Sequence, residues 1–232
     1  MKKIAYFFLL LLVNDGFTQD SSRFLIKADQ LVSEVLTPER IYQYPKFLQG
    51  RIFFRNQTFT EALLNYNYLS SEIEFIAPGA DTMAIAMRQV LDIRKIIVNK
   101  DTFYYDKGYL QQVLQTPPGK LAKRQMLIVA KQEQLGAFDQ PTSTTKVETE
   151  LLFRDYYGST VTPGMKARED ITLVYRNEFY LGDNYYSFLP ANKKNLLKIF
   201  PSRKEMIIKY LEENKVNFRN GDDLKKLLLF LQ

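Results

Sequence analysis

From Tyr44 onward the chain alternates short runs of β-branched and aromatic residues with turn signals. That pattern predicts strands at Gly50–Arg55, Thr60–Tyr66, Glu72–Ile76, Thr82–Ala86, Arg94–Val98, Thr102–Tyr105, Tyr109–Leu114 and Gln125–Lys131. Asn56-Gln57, Pro78-Gly79-Ala80-Asp81, Asn99-Lys100-Asp101 and Asp106-Lys107-Gly108 supply the turns. Parallel strands would need long crossovers, so such close spacing predicts an antiparallel meander. The meander either stays an open sheet packed on other elements or curls into a partly open barrel.

Residues 132–169 break this rhythm. Gly136, Asp139-Gln140-Pro141, Thr142 to Thr145, Gly158 and Pro163-Gly164 make a long polar connection, expected to be disordered although loops of this length are also used for function. Ile171–Tyr175, Glu178–Leu181 and Tyr185–Phe188 then read as returning strands, with Arg176-Asn177 as a hairpin turn. The chain closes in helices. Asn192 caps a helix through Phe200, Pro201 ends it, and Ser202 with Glu205 forms a capping box for the next helix, to about Asn214. Gly221 interrupts, Asp222 caps, and Leu224, Leu227, Leu228 and Leu231 recur at i, i+3, i+4 and i+7. These amphipathic helices need an apolar surface to cover, and the sheet is the nearest one.

The N-terminus has a different character. Met1-Lys2-Lys3 precedes an unbroken apolar run from Ile4 to Val13, and Asn14 to Gln19 turns polar. This is the layout of a secretory signal peptide, with cleavage expected between Gly16 and Gln19. An uncleaved tether is the competing reading, but a bilayer span needs about 20 apolar residues. Residues 20–43 form an N-terminal arm of mixed helical spacing.

About 213 residues after such a signal suffice for a core without covalent staples. The chain has no Cys and no His, which excludes thiol chemistry, His-containing triads and His-bearing zinc sites. The net charge of +6 is uneven: residues 190–232 carry ten Lys or Arg against five Asp or Glu, and residues 20–189 balance at zero. A basic tail suits an anionic envelope component or an acidic partner, and equally a solvated helical face.

Candidate chemistry is sparse. Glu72 and Glu74 share a strand face about 6.5–7 Å apart, a spacing seen in glycosidases, but Ile73 and Phe75 alternate with them as on any strand with one wet side. Asp101, Asp106, Glu169 and Asp170 sit at turns or element ends and read as caps; none lies in a calcium-loop pattern. No G-x-S-x-G, Walker loop or S-x-x-K motif occurs. Asn56-Gln57-Thr58 and Asp81-Thr82-Met83 are weak glycosylation signals. The doublets Tyr104-Tyr105, Tyr156-Tyr157 and Tyr185-Tyr186 each place one ring outward or into a cavity, as a stacking platform or as ordinary strand packing. Tyr104, Tyr105, Tyr185 and Tyr186, with Lys193, Lys194, Lys225 and Lys226, form the candidate interaction surface; no catalytic, cofactor or metal residue is assigned.

Four segments carry a resemblance: Tyr44-Pro45-Lys46-Phe47 leading to Gly50, Ala62 to Asn67, Phe103 to Tyr109, and Phe188 to Leu197. Together they resemble a group of uncharacterised exported bacterial envelope proteins with a β-rich body and a Lys-rich helical C-terminus. The resemblance implies an exported setting and this architecture, and brings no activity with it.

The expectation is an α+β protein: a signal peptide at 1–19, an arm at 20–43, a β-rich domain at 44–189 with its long loop at about 132–169, and a helical segment at 190–232 packed on the sheet. The expected role is a non-catalytic exported envelope protein, in the periplasm, at the envelope periphery or secreted, that binds a partner or supports structure. Its expected partner is an envelope protein or an anionic envelope component, not nucleic acid, with no membrane span after signal cleavage. The alternative is a carrier holding a lipid or glycan in the β-body, and a carboxylate-dependent hydrolase ranks last.

Overall fold

The computed structural model describes residues 23–76, 82–84, 91–130, 166–167 and 170–232. The strands are β1 (Arg23–Ile26), β2 (Leu48–Phe54), β3 (Phe59–Asn67), β4 (Glu72–Ile76), β5 (Thr82–Ala84), β6 (Ile93–Val98), β7 (Asp101–Tyr105), β8 (Tyr109–Thr116), β9 (Gly119–Val129), β10 (Ile171–Gly182) and β11 (Phe188–Pro190). All pair antiparallel in one sheet of order β1-β10-β9-β8-β7-β6-β2-β3-β4-β5, with β11 also on β10. The class is α+β with an open meander, as expected. The sheet nonetheless curls until the β3–β4 turn meets β9. There the Leu127 amide donates to the Tyr68 carbonyl at 2.8 Å, and the Tyr66 hydroxyl donates to the Gln125 carbonyl at 2.8 Å.

Apolar side chains from the inside of this curl form one core, with Ile52, Leu64, Ile73, Ile96 and Phe103 buried and Tyr66 stacked on Phe103 at 5.6 Å. The arm builds a second core. Two single-turn helices, α1 (Val32–Val35) and α2 (Pro38–Ile41), follow β1, and Ile26 and Val32 pack with Leu127 and Leu173. A third core lies under the C-terminal helices α3 (Lys193–Ile199), α4 (Lys204–Glu213) and α5 (Gly221–Phe230). Leu224, Leu227, Leu228 and Leu231 are all fully buried there against Leu121 and Leu181, so the leucine stripe docks on the sheet. Burying each such side chain is worth about 1.5–3 kcal/mol.

Several local expectations need correction. Arg176-Asn177 is not a turn: β10 runs straight through, paired with β9 from Leu173 to Gly182. A long ladder outweighs the turn preference of a single Asn. The next strand is Phe188–Pro190, and Tyr185 belongs to the loop before it. β9 starts at Gly119, far ahead of Gln125, because Pro117-Pro118 turns the chain between Thr116 and its partner Gly119. A side chain at Gly119 would place Cβ 2.5 Å from the Gly182 carbonyl oxygen, so this turn tolerates glycine alone. Asn192 caps α3 by accepting from the Asn195 amide, as expected. Ser202 makes no such cap: a 3-10 turn over Pro201–Arg203 leads directly into α4. Asn220, not Asp222, caps α5, accepting from the amides of Asp222 and Asp223. The first nineteen residues and most of 132–169 lie outside the described residues, as do Tyr156-Tyr157. Among the described residues no helix is long and apolar enough to cross a membrane.

Candidate functional site

The inner face of the sheet changes character between its cores. Along β9 the inward positions read Leu121, Lys123, Gln125, Leu127, with both leucines buried in separate cores. Along β10 they read Leu173, Tyr175, Asn177, Phe179, Leu181. Cross-strand register sets Gln125 opposite Asn177 and Lys123 opposite both Phe179 and, on β8, Gln111. Tyr109, two residues before Gln111, falls beside Gln125. A polar band therefore crosses three strands on a face that is otherwise core.

Polar groups turned inward cost free energy unless they find partners. The Lys123 ammonium donates to Gln125 Oε1 at 3.3 Å. Burial pulls the Lys123 pKa below the usual lysine value; the Asp101 carboxylate opposes this and Lys225 of α5 adds to it. Asp101 is held on the opposite side by the Tyr44 hydroxyl at 2.6 Å and the Gln43 amide at 3.1 Å. Tyr68 borders the band, its ring edge-on to Tyr175 at 5.2 Å, and burial with the nearby Tyr175 and Asp101 raises its hydroxyl to about 12. Of the four buried side-chain atoms without a hydrogen bond among the described residues, two belong to the band, the Tyr109 hydroxyl and Asn177 Oδ1; Ser70 Oγ and Arg124 Nε lie outside it. Lys123, Gln125, Asn177, Gln111 and Asp101 all remain half-buried, so the band keeps contact with solvent.

The carboxylate pair on β4 has a different fate. Glu74 is only 6% exposed, accepting from the Tyr42 hydroxyl at 2.7 Å and Asn67 Nδ2 at 2.8 Å. It is a structural clamp beneath the arm and not part of a wet strand face. Asp101, Asp106 and Asp170 are engaged as acceptors, Asp106 from the Phe188 amide and Asp170 from Lys27 and the Ala28 amide. Glu169 lies outside the described residues, among which no group of three metal-ligating side chains occurs. Asn56 folds back on Thr58 in the exposed β2–β3 turn.

The residues singled out as an interaction surface divide. Tyr104 is buried, its hydroxyl on Gln112 at 2.6 Å and its ring against Tyr186 at 5.2 Å. Tyr105 faces the other side of the sheet, edge-on to Tyr109. Tyr186 packs under the Lys120 ammonium and Tyr185 beside it is 89% exposed. Their loop is held open by Asp183, whose Oδ1 accepts from the amides of Tyr185 and Ser187 at 2.8 and 3.0 Å. Tyr186 adopts a left-handed φ of 66°, rare for so bulky a residue. Lys193, Lys194 and Lys226 are exposed on the helices, whereas half-buried Lys225 pairs with Asp222 at 3.0 Å and is felt at Lys123.

The inward band escaped the sequence reading because β9 carries apolar residues on both faces. Ala122, Met126 and Ile128 alternate with Lys123, Gln125 and Leu127, so period-two alternation does not choose a side. The one signal available was the polar pair Lys123 and Gln125 between Leu121 and Leu127. Comparison with known proteins finds no matching family, no matching curated relative and no matching solved structure.

Proposed function

We propose that this is a non-catalytic exported binding protein that carries a small ligand on the inner face of its curled sheet. The polar band is the observation that supports this reading: an inward face that breaks its own apolar pattern and leaves Asn177 Oδ1 and the Tyr109 hydroxyl unpaired. Departures of this kind concentrate where a protein trades stability for function. The exported setting is proposed from the first nineteen residues and from the resemblance to envelope proteins. Native mass spectrometry of protein purified from its own cell envelope tests the carrier reading. A small adduct that disappears in a Lys123→Met/Gln125→Leu double variant supports it, and a bare mass in both forms sinks it.

A second reading, partner binding, is favoured by Tyr185. A strained, hydrogen-bonded loop holds this ring in solvent, and a rigid exposed Tyr gives contact area at low entropic cost. A photo-crosslinking residue at position 185 in living cells tests it. Recovery of one recurrent protein adduct supports a partner there, and its absence under efficient labelling removes this role.

A further inference from the structure

Building on the carrier reading, we infer that the polar band takes a neutral, polyhydroxylated ligand: a mono- or disaccharide unit. The first argument is charge. The band contains one desolvated ammonium, Lys123, and the Asp101 carboxylate on neighbouring β7 acts on it. Lys225, the next cation, is already paired with Asp222 at 3.0 Å. An anionic ligand meets Asp101 and a cationic one meets Lys123, so the band is balanced against either sign.

The second argument is hydrogen-bond stereochemistry. Gln111, Gln125 and Asn177 each offer a carbonyl and an NH₂ group, and the Tyr109 hydroxyl both donates and accepts. Asn177 Oδ1 lacks a donor and the Tyr109 hydroxyl lacks any partner. A sugar hydroxyl donates and accepts from one atom, so it can satisfy both kinds of group in either order. An alkyl chain would leave these buried atoms unsatisfied.

The third argument is size. Gln111, Lys123 and Phe179 form one row across β8, β9 and β10, with Gln125 and Asn177 in the next. Three strands at about 4.8 Å spacing and two rows about 7 Å apart give a footprint of roughly 10 by 7 Å. One or two sugar rings have such dimensions; Gly221 of α5 lies over the Phe179 end, and Tyr68 and Tyr175 border the other.

The test is titration of the mature protein, followed by amide chemical shifts. The probes are a panel of neutral mono- and disaccharides, with glucuronate, inorganic phosphate and dodecanoate as charged and apolar comparisons. The expected result is saturable binding of at least one neutral saccharide. Asn177→Leu and Gln111→Met should each weaken it about ten-fold, while Lys209→Ala on exposed α4 leaves it unchanged. Two variants on different strands guard against a folding defect in one, and thermal unfolding checks both. Binding of dodecanoate or an anion alone, sensitive to the band variants, overturns the saccharide assignment and keeps the carrier reading. Saccharide binding indifferent to both band variants overturns the site. Failure of every neutral saccharide to bind overturns the inference, and the carrier reading is then judged by the co-purified adduct.

Discussion

Replacing Asn177 with leucine is expected to stabilise the free protein while weakening ligand binding at the band. Asn177 lies mid-strand on β10, flanked on its face by Tyr175 and Phe179 and opposite Gln125. Its Oδ1 is buried with no hydrogen-bond partner. A buried acceptor left unsatisfied costs about 1–3 kcal/mol. Leucine has a similar shape, removes that acceptor and extends the apolar run toward Phe179. Against this stands an overpacking cost, under about 1.5 kcal/mol for a swap that nearly conserves volume. The balance is a gain of about 1 kcal/mol, or about 2–4 °C in Tm for a chain of this size. Asn177→Ala removes the same acceptor without filling the space and is expected to be near neutral, so the Leu–Ala difference isolates packing. Denaturant unfolding at constant slope m is the assay. A leucine variant with a lower midpoint than the parent would show that Asn177 is satisfied in the folded protein, and the case for a functional band would fall with it.

Three further outcomes follow from the same structure. Gly119→Ala should cost about 3 kcal/mol or more, because its Cβ would meet backbone at Gly182 and the Phe200 ring at 2.6 Å; a midpoint unchanged in urea would contradict the close approach. Glu74→Leu should cost about 2–4 kcal/mol by stranding the Tyr42 hydroxyl and Asn67 amide it now accepts from, and Tyr42→Phe should cost less; equal stabilities of parent and Glu74→Leu would argue against the clamp. Burial raises the pKa of Tyr42, Tyr44, Tyr66, Tyr68, Tyr104 and Tyr109, Tyr68 and Tyr104 to about 12. A tyrosine that ionises near pH 10 when unfolded but later when folded contributes stability below about pH 10 that is lost as pH rises toward its folded value. Each such residue subtracts about 1.4 kcal/mol per pH unit in that window. Lys120 and Lys123 have the opposite sign, their depressed pKa values adding stability as pH climbs toward the unfolded lysine value, but they are two groups against these six. Urea midpoints should therefore fall steeply above about pH 10, and a flat profile there would mean the rings are open to solvent.

Much of the architecture was written locally. The leucine stripe of α5 was visible because i, i+3 and i+4 neighbours share a helix face whatever the rest of the chain does. Asn192 and Pro201 likewise act within one turn of themselves. The meander was legible from closely spaced turns, since the short links Asn99-Lys100 and Asp106-Lys107-Gly108 admit only antiparallel neighbours. Other local signals were misleading. Asn177 looked like a turn residue and sits in the longest ladder of the sheet, and Glu74 looked solvated and lies under Tyr42.

What the sequence by itself determined was the class of the object: strands, their antiparallel order of succession, amphipathic helices seeking a sheet, and chemistry without thiol or imidazole. What only the tertiary structure decided was which face of each strand is inside. β9 carries apolar and polar residues on both faces, so its orientation depends on where the curled sheet, the arm and the helices happen to close. That closure rests on contacts between distant segments, such as Tyr66 with Gln125 and Leu127 with Tyr68. Such contacts are bought with the free energy of the whole fold, and no window of neighbouring residues contains them. The polar band exists because three independently built cores leave that strip of sheet between them.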